Sequence, residues 1–200
     1  MNKKLIKEFL IITFTIMLVF WGGCAFISQF YNFTVNNLYL RIMHIIGCTI
    51  NGFEIGAPIF MIIIILPMML VGGGNEEVGW RMILQPELEK KYGFNLATIF
   101  TAIIWWIWHL PLFFIKGTAN GNMNYFLFGI MCLTLCYALA TIKKVSKGVF
   151  PCILTHCLIN GLSAIFVFNY SFISCCISLV ITIIVSIIVL NMNSKTRYNN

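Results

Sequence analysis

Aspartate is missing altogether from these 200 residues, and the six acidic side chains are all glutamate. With no aspartate there is no aspartyl dyad, so an aspartic-type intramembrane protease is excluded. His-Glu-x-x-His is absent as well, which removes the usual zinc-protease helix, and neither a phosphate-binding Walker loop nor a dinucleotide fingerprint occurs. Gly-x-Ser-Gly does not appear either. Gly161-Leu162-Ser163-Ala164 is the nearest approach, so a rhomboid-like serine nucleophile finds no support. Charge of either sign is scarce: 10% of residues are charged, against roughly 25% in a soluble domain. A soluble fold is thereby excluded.

Hydrophobic residues make up 60% of the chain, and the mean hydropathy is +0.93. These figures describe one integral-membrane domain, residues 1–200, of the all-α class: a polytopic transmembrane helical bundle. The net charge of +7 comes from short Lys and Arg clusters between apolar runs. Loop charges of that kind set membrane topology and do not form a nucleic-acid footprint. Eight cysteines are present without a single Cys-x-x-Cys pair. Most lie inside apolar runs, where a thiol behaves as a small hydrophobe, so packing is the reading for all eight.

Spanning a bilayer takes about 20 apolar residues. Residues 9–28 supply one such run, after the basic start Lys3, Lys4 and Lys7. Trp21-Gly22-Gly23-Cys24 faintly resembles a lipoprotein cleavage box, but Trp is wrong for it, and the run reads as a retained helix. Residues 29–51 are mixed and make a weak span or an interfacial helix. Residues 55–71 form a clear span that Gly72-Gly73-Gly74 is expected to end. Residues 76–91 have helical spacing but too many polar groups to face lipid. Further spans follow at 94–115 and 125–142, and the uncharged stretch 148–194 holds two more, turning at Asn169-Tyr170-Ser171. The expected total is about six to eight spanning helices around an intramembrane polar cavity. With the N-terminus inside and an even number of crossings, Lys3, Lys4, Lys7, Lys90, Lys91, Lys143, Lys144, Lys147, Lys195 and Arg197 all fall inside, and Lys116 outside. The positive-inside rule therefore puts both termini on the cytoplasmic side of a cell membrane. A bias toward Asn, Ile and Lys suggests an AT-rich bacterial genome.

Against this apolar background three polar intrusions stand out. The first is Asn75-Glu76-Glu77-Val78-Gly79-Trp80-Arg81, which holds two of the six carboxylates. Ionisable groups at membrane depth are costly and mark function by default. Glu76 and Glu77 would occupy the first turn of a helix, where the dipole favours carboxylates. Glu77 and Arg81 are four apart and can pair, while Glu76 is turned about 100° away. Two adjacent carboxylates in a low dielectric resist joint ionisation. Arg81 can anchor one and leave the other free to act as a general base. A purely structural Glu-Arg pair at a helix start is the alternative.

The second intrusion is His109, one turn after Trp105 in Trp105-Trp106-Ile107-Trp108-His109. Its tryptophans would wall a pocket or form an interfacial belt. The third is His156 with Asn160, four apart on a helix, so that an imidazole and an amide project together and can both donate to an oxyanion. His44 reads as a packing residue and Glu54 as an interfacial carboxylate. No protein nucleophile accompanies these groups, which points to an activated water.

Glu-Glu-x-x-x-Arg, aromatic-x-x-x-His and His-x-x-x-Asn, in that order on successive hydrophobic segments, resemble the CAAX-protease and bacteriocin-processing (Abi) family of intramembrane glutamate proteases. The resemblance covers roughly residues 60–168. It implies that Glu76 activates a water that His109 helps to hold, that His156 and Asn160 stabilise the oxyanion, and that Glu77 and Arg81 orient the site. The family's second motif usually begins with Phe, and position 105 here is Trp. No cofactor is required on this reading. Glutamate with two histidines could hold zinc and a water, but Asn160 suits an oxyanion better than Zn²⁺. The expected activity is that of an intramembrane endopeptidase in the lipid bilayer, acting on a peptide or a membrane-protein segment. The alternatives are a non-catalytic bacteriocin-immunity or binding protein of the same family, and a transporter, which would require paired broken-helix repeats that the sequence lacks.

Overall fold

The computed structural model describes residues 1–30, 73–116, 120–165 and 171–198. The weak span expected within 29–51, from residue 31 onward, and the span at 55–71, together with His44 and Glu54, lie outside the described residues. Among the described residues every regular element is helical. They are α1 (Lys3–Met17), α2 (Gly23–Phe30), α3 (Glu76–Gly79), α4 (Gln85–Trp108), α5 (Tyr125–Ser146), α6 (Phe150–Ile165) and α7 (Phe172–Tyr198). A π-helical turn at Leu18–Gly22 joins α1 to α2, and a second at Trp80–Leu84 joins α3 to α4. Among the described residues four helical stretches are long and apolar enough to cross a membrane: Lys3–Gln29, Glu76–Phe114, Tyr125–Ser146 and Phe172–Lys195. The shorter Phe150–Ser163 is apolar too. This is a multi-pass membrane protein.

The surface fits that solvent. Ile11, Ile12, Ile16, Val19 and Phe20 on the first helix are exposed, as are Ile173, Ile177, Ile184 and Ile188 on α7. The interior is narrow. Trp80, Leu84, Ala97, Ala102, Trp105, Cys132 and Cys136 form its buried cluster. Ala and Cys at the contact of α4 with α5 let the two backbones approach closely, which is how helices associate where lipid removes the hydrophobic drive.

The stretch 76–114 is continuous in hydrogen bonding but not in backbone. Gly93 sits at φ 72° and ψ 175°, with open space where a Cβ would be. The conformation itself requires glycine there. It divides α4 into two limbs at the place where the sequence separates 76–91 from 94–115. Pro86 occupies the first turn of α4, where its missing N–H costs little.

The Lys clusters gather at one end of the bundle. The Asn2 N–H donates to Glu87 Oε2 at 2.6 Å, Lys90 pairs with Glu87, and Lys144 Nζ lies 2.6 Å from Glu89 Oε2. At the other end, Gln29 Nε2 donates to the Phe114 carbonyl at 2.9 Å.

Gly73 and Gly74 close a π-helical turn before Asn75, and the span at 55–71 that precedes them lies outside the described residues. Their role is closeness to α6. A Cβ at Gly74 would stand 2.5 Å from Cys157 Sγ and 2.8 Å from Ile153 Cγ2, and one at Gly73 would stand 2.5 Å from Asn160 Nδ2. Overpacking of this kind typically costs about 1–3 kcal/mol. Gly74→Ala should therefore lower the thermal midpoint of the detergent-solubilised protein, and a compensating Cys157→Ala should restore part of the loss. An unchanged midpoint for Gly74→Ala would show that α6 does not depend on this contact.

Candidate active site

Two glutamates, two histidines, one arginine and one asparagine come together where α3, α4 and α6 meet, although they are up to 84 positions apart in the chain. Glu77 and Arg81 are 0% and 1% exposed, His156 3% and His109 8%, so all four are withdrawn from the surface. Glu76 and Asn160 are half-buried.

The centre of the polar network is Glu77. Its Oε2 accepts from Arg81 Nε at 2.8 Å and its Oε1 accepts from His156 Nδ1 at 2.8 Å. Because a carboxylate only accepts, His156 Nδ1 carries a proton. The expected Glu77–Arg81 pair is present, and its third member, His156, is one that no local spacing signals. Arg81 has further acceptors: Nη1 donates to Gln85 Oε1, and Nη2 donates to Cys136 Sγ at 3.2 Å. Cys136 is therefore more than packing, as is Cys152, whose thiol donates to the Leu139 carbonyl at 3.4 Å. Gln85 in turn donates to Thr98 Oγ1 at 3.1 Å and to Glu89 Oε1 at 3.3 Å. A ladder at spacing four, Glu77–Arg81–Gln85–Glu89, thus runs from the buried pair to the lysine-rich end. Gln85 was missed in the sequence, though its place in the same spacing of four was a usable signal.

Glu76 faces elsewhere, as a rotation of about 100° requires. Its Oε2 accepts from Trp105 Nε1 at 2.8 Å. The same indole ring stands 5.1 Å from the His109 ring and 5.4 Å from the His156 ring, edge-on to both. His109 caps α4, and its Nδ1 is 2.8 Å from the Trp105 carbonyl oxygen. A carbonyl cannot donate, so Nδ1 carries the proton and Nε2 of the neutral ring is left with a lone pair. On α6, Asn160 Nδ2 and His156 Nε2 both flank Gly73, at 2.5 and 3.5 Å from the place its Cβ would take. The tryptophans divide three ways. Trp105 belongs to the site, Trp106 stacks on Tyr125 at 4.8 Å, and Trp108 packs on Trp21 at 4.4 Å.

Among the described residues no three His, Cys, Asp or Glu side chains stand close enough to ligate one metal ion. A groove of about 490 Å³ runs between α5 and α7, lined chiefly by aliphatic side chains such as Ile142, Val145, Ile181 and Val185. None of the constellation's residues lines it.

The signature of the Type II CAAX prenyl endopeptidase Rce1-like family matches residues 58–162, just over half of the chain and all three polar motifs. The chain belongs to that family. It is also similar to CAAX prenyl protease 2 of Methanococcus maripaludis, with 28% identity over 109 residues, covering 48% of this chain and 38% of that protein. The match therefore spans well under half of the relative's length. Family signature and relative thus agree on a CAAX-protease-like family.

Removal of one partner from a buried ion pair strands a charge, at a typical cost of about 3–5 kcal/mol. Arg81→Met should accordingly unfold the protein far more readily in mixed detergent micelles. Arg81→Lys should fall between the two, since a single ammonium cannot reach Glu77, Gln85 and Cys136 together. Equal unfolding midpoints for wild type and Arg81→Met would show that the pair carries no stability.

Proposed function

We propose that the protein is a glutamate-type intramembrane endopeptidase, a hydrolase that uses water activated by Glu76. The observation supporting this reading is the convergence of Glu76, His109 and His156 on the single indole of Trp105.

The reaction follows from the partners already described. Glu76 removes a proton from water as the oxygen attacks the scissile carbonyl carbon. His109 Nε2, with its lone pair, accepts a hydrogen bond from that water and holds it in line. The carbonyl oxygen gains negative charge, and Asn160 Nδ2 and the His156 ring stabilise it. Glu77 holds the His156 ring in place through Nδ1, and Arg81 holds Glu77 in turn. When the tetrahedral intermediate collapses, the C–N bond breaks and Glu76 returns its proton to the departing amine. Every step uses only the chain's own groups.

The substrate class proposed is a peptide or the terminal segment of a membrane protein, presented at the bilayer. The relative's name makes a prenylated CAAX peptide a natural first probe. Bacteriocin processing or self-immunity would be a biological setting for the same site. The Lys clusters at one end of the bundle support a cytoplasmic location for both termini.

Glu76→Gln keeps the shape of the side chain and removes the base, so hydrolysis of a fluorogenic prenylated CAAX peptide in nanodiscs should stop in a folded protein. Asn160→Ala removes one oxyanion donor, and the rate should fall by ~10²–10³ while remaining measurable. Added zinc should rescue neither variant, and chelators should leave wild type unchanged. Retention of full biological activity by Glu76→Gln would make the protein a binding or immunity module.

A further inference from the structure

We infer that Trp105 is a positioning residue for the proposed hydrolysis: its indole N–H fixes the orientation of the Glu76 carboxylate, and its backbone and ring set both imidazoles around that carboxylate. The inference rests on the reading of Glu76 as the base. It goes beyond the aromatic wall expected at this position, because a Phe there would have no N–H to donate.

The geometry carries the argument in three contacts from one residue. Trp105 Nε1 donates to Glu76 Oε2 at 2.8 Å, across 29 positions of sequence and between α3 and α4. The Trp105 carbonyl receives His109 Nδ1 at 2.8 Å, which fixes that ring's tautomer. The ring stands nearly perpendicular to His156, at an interplanar angle of 88°, and at 76° to His109.

Trp105 is itself held rigidly, being 3% exposed within the core cluster with Ala102, Cys132 and Cys136. A glutamate has three rotatable bonds, and Glu76 opens the helical stretch 76–114, so the backbone places its Cα without orienting its carboxylate. Tying one oxygen to a fixed N–H stops the carboxylate from turning and leaves its remaining lone pairs for the water. A neutral donor suits this task. A cation would pair with Glu76 as Arg81 pairs with Glu77, and the base would be spent on a salt bridge.

The test separates shape from hydrogen bonding. Trp105→Phe keeps an aromatic ring, and replacement of Trp105 by β-(3-benzothienyl)alanine keeps nearly the whole indole volume while substituting sulfur for N–H. With the prenylated CAAX peptide as probe, both variants should lose roughly 10- to 100-fold in kcat, with KM changed by no more than about twofold. A second readout does not depend on turnover. In protein labelled with ¹⁵N at the indoles, the Trp105 cross-peak is identified by its disappearance in Trp105→Phe. Its proton should move upfield in Glu76→Gln, where an amide replaces the stronger carboxylate acceptor, and stay in place in Glu8→Gln, a change on the surface of α1.

Wild-type kcat in the benzothienyl variant would overturn the inference. So would an indole resonance indifferent to Glu76→Gln, or a loss of rate matched by an equal loss of folded protein. If the resonance moves as expected but wild type cleaves no peptide, the contact stands and the hydrolytic reading falls.

Discussion

The buried carboxylate of Glu77 is the constraint on which the rest of the bundle depends. An ionised group with no exposure in a lipid-embedded interior is tolerable only when its lone pairs are taken, and both of its oxygens are. Meeting that demand draws in Arg81 from the following π-helical turn and His156 from α6. Arg81 brings the same demand with it, because a guanidinium has five N–H groups to place. Gln85 at the start of α4 and Cys136 in the middle of α5 answer it. One carboxylate thus fixes the mutual positions of α3, α4, α5 and α6. A buried ion pair at this depth is also the tie between the helices, so stability and the geometry of the candidate site are inseparable here.

Small residues make that tie geometrically accessible. Gly73 and Gly74 bring the start of α3 against α6 closely enough that any side chain would collide with Asn160, Cys157 or Ile153. Ala97, Ala102, Cys132 and Cys136 do the same for α4 and α5. In a bilayer, where apolar side chains gain nothing by leaving lipid, close backbone approach and satisfied polar groups are the principal means of association. Large side chains are accordingly turned outward, as on α7. The exception is three tryptophans of α4 whose N–H groups find acceptors: Glu76 for Trp105, the Tyr125 carbonyl for Trp106 and the Thr13 carbonyl for Trp108.

Much of this was legible in the sequence because polar residues are so few. Glu76, Glu77, Arg81, His109, His156 and Asn160 stand out as interruptions of apolar runs, and the separations of four within 77–81, 105–109 and 156–160 predict which share a face. The helical class and the division near Gly93 follow from the same runs. What the sequence could not give was contact between segments. That His156 completes Glu77, that Cys136 accepts from Arg81, and that Trp105 holds Glu76 are facts of tertiary packing. Local periodicity carries no information about them. Gly73 and Gly74 make the same point: glycine breaks an isolated helix, but it also permits helices to touch, and their contact with Asn160 and Cys157 is invisible in local sequence. Gln85 was concealed by ordinariness, since a glutamine near a helix start draws no notice until the partner above it is known.

Two neighbouring glutamates end with opposite chemistry, and the cause lies in their partners rather than their identity. Glu77 is engaged by a guanidinium and by an imidazole, so its charge is neutralised and its lone pairs are spent on structure. Glu76, one residue earlier and about 100° around the helix, meets a neutral indole donor on one oxygen. A cation would have made it a second structural carboxylate. The absence of any partner would have left it mobile and expensive to bury. Hydrogen bonding from uncharged groups is the intermediate case, in which the carboxylate is oriented while keeping lone pairs for a water molecule. The division of labour between proposed base and scaffold is therefore set by helical rotation: a single step along the backbone carries one carboxylate toward Arg81 and the other toward Trp105.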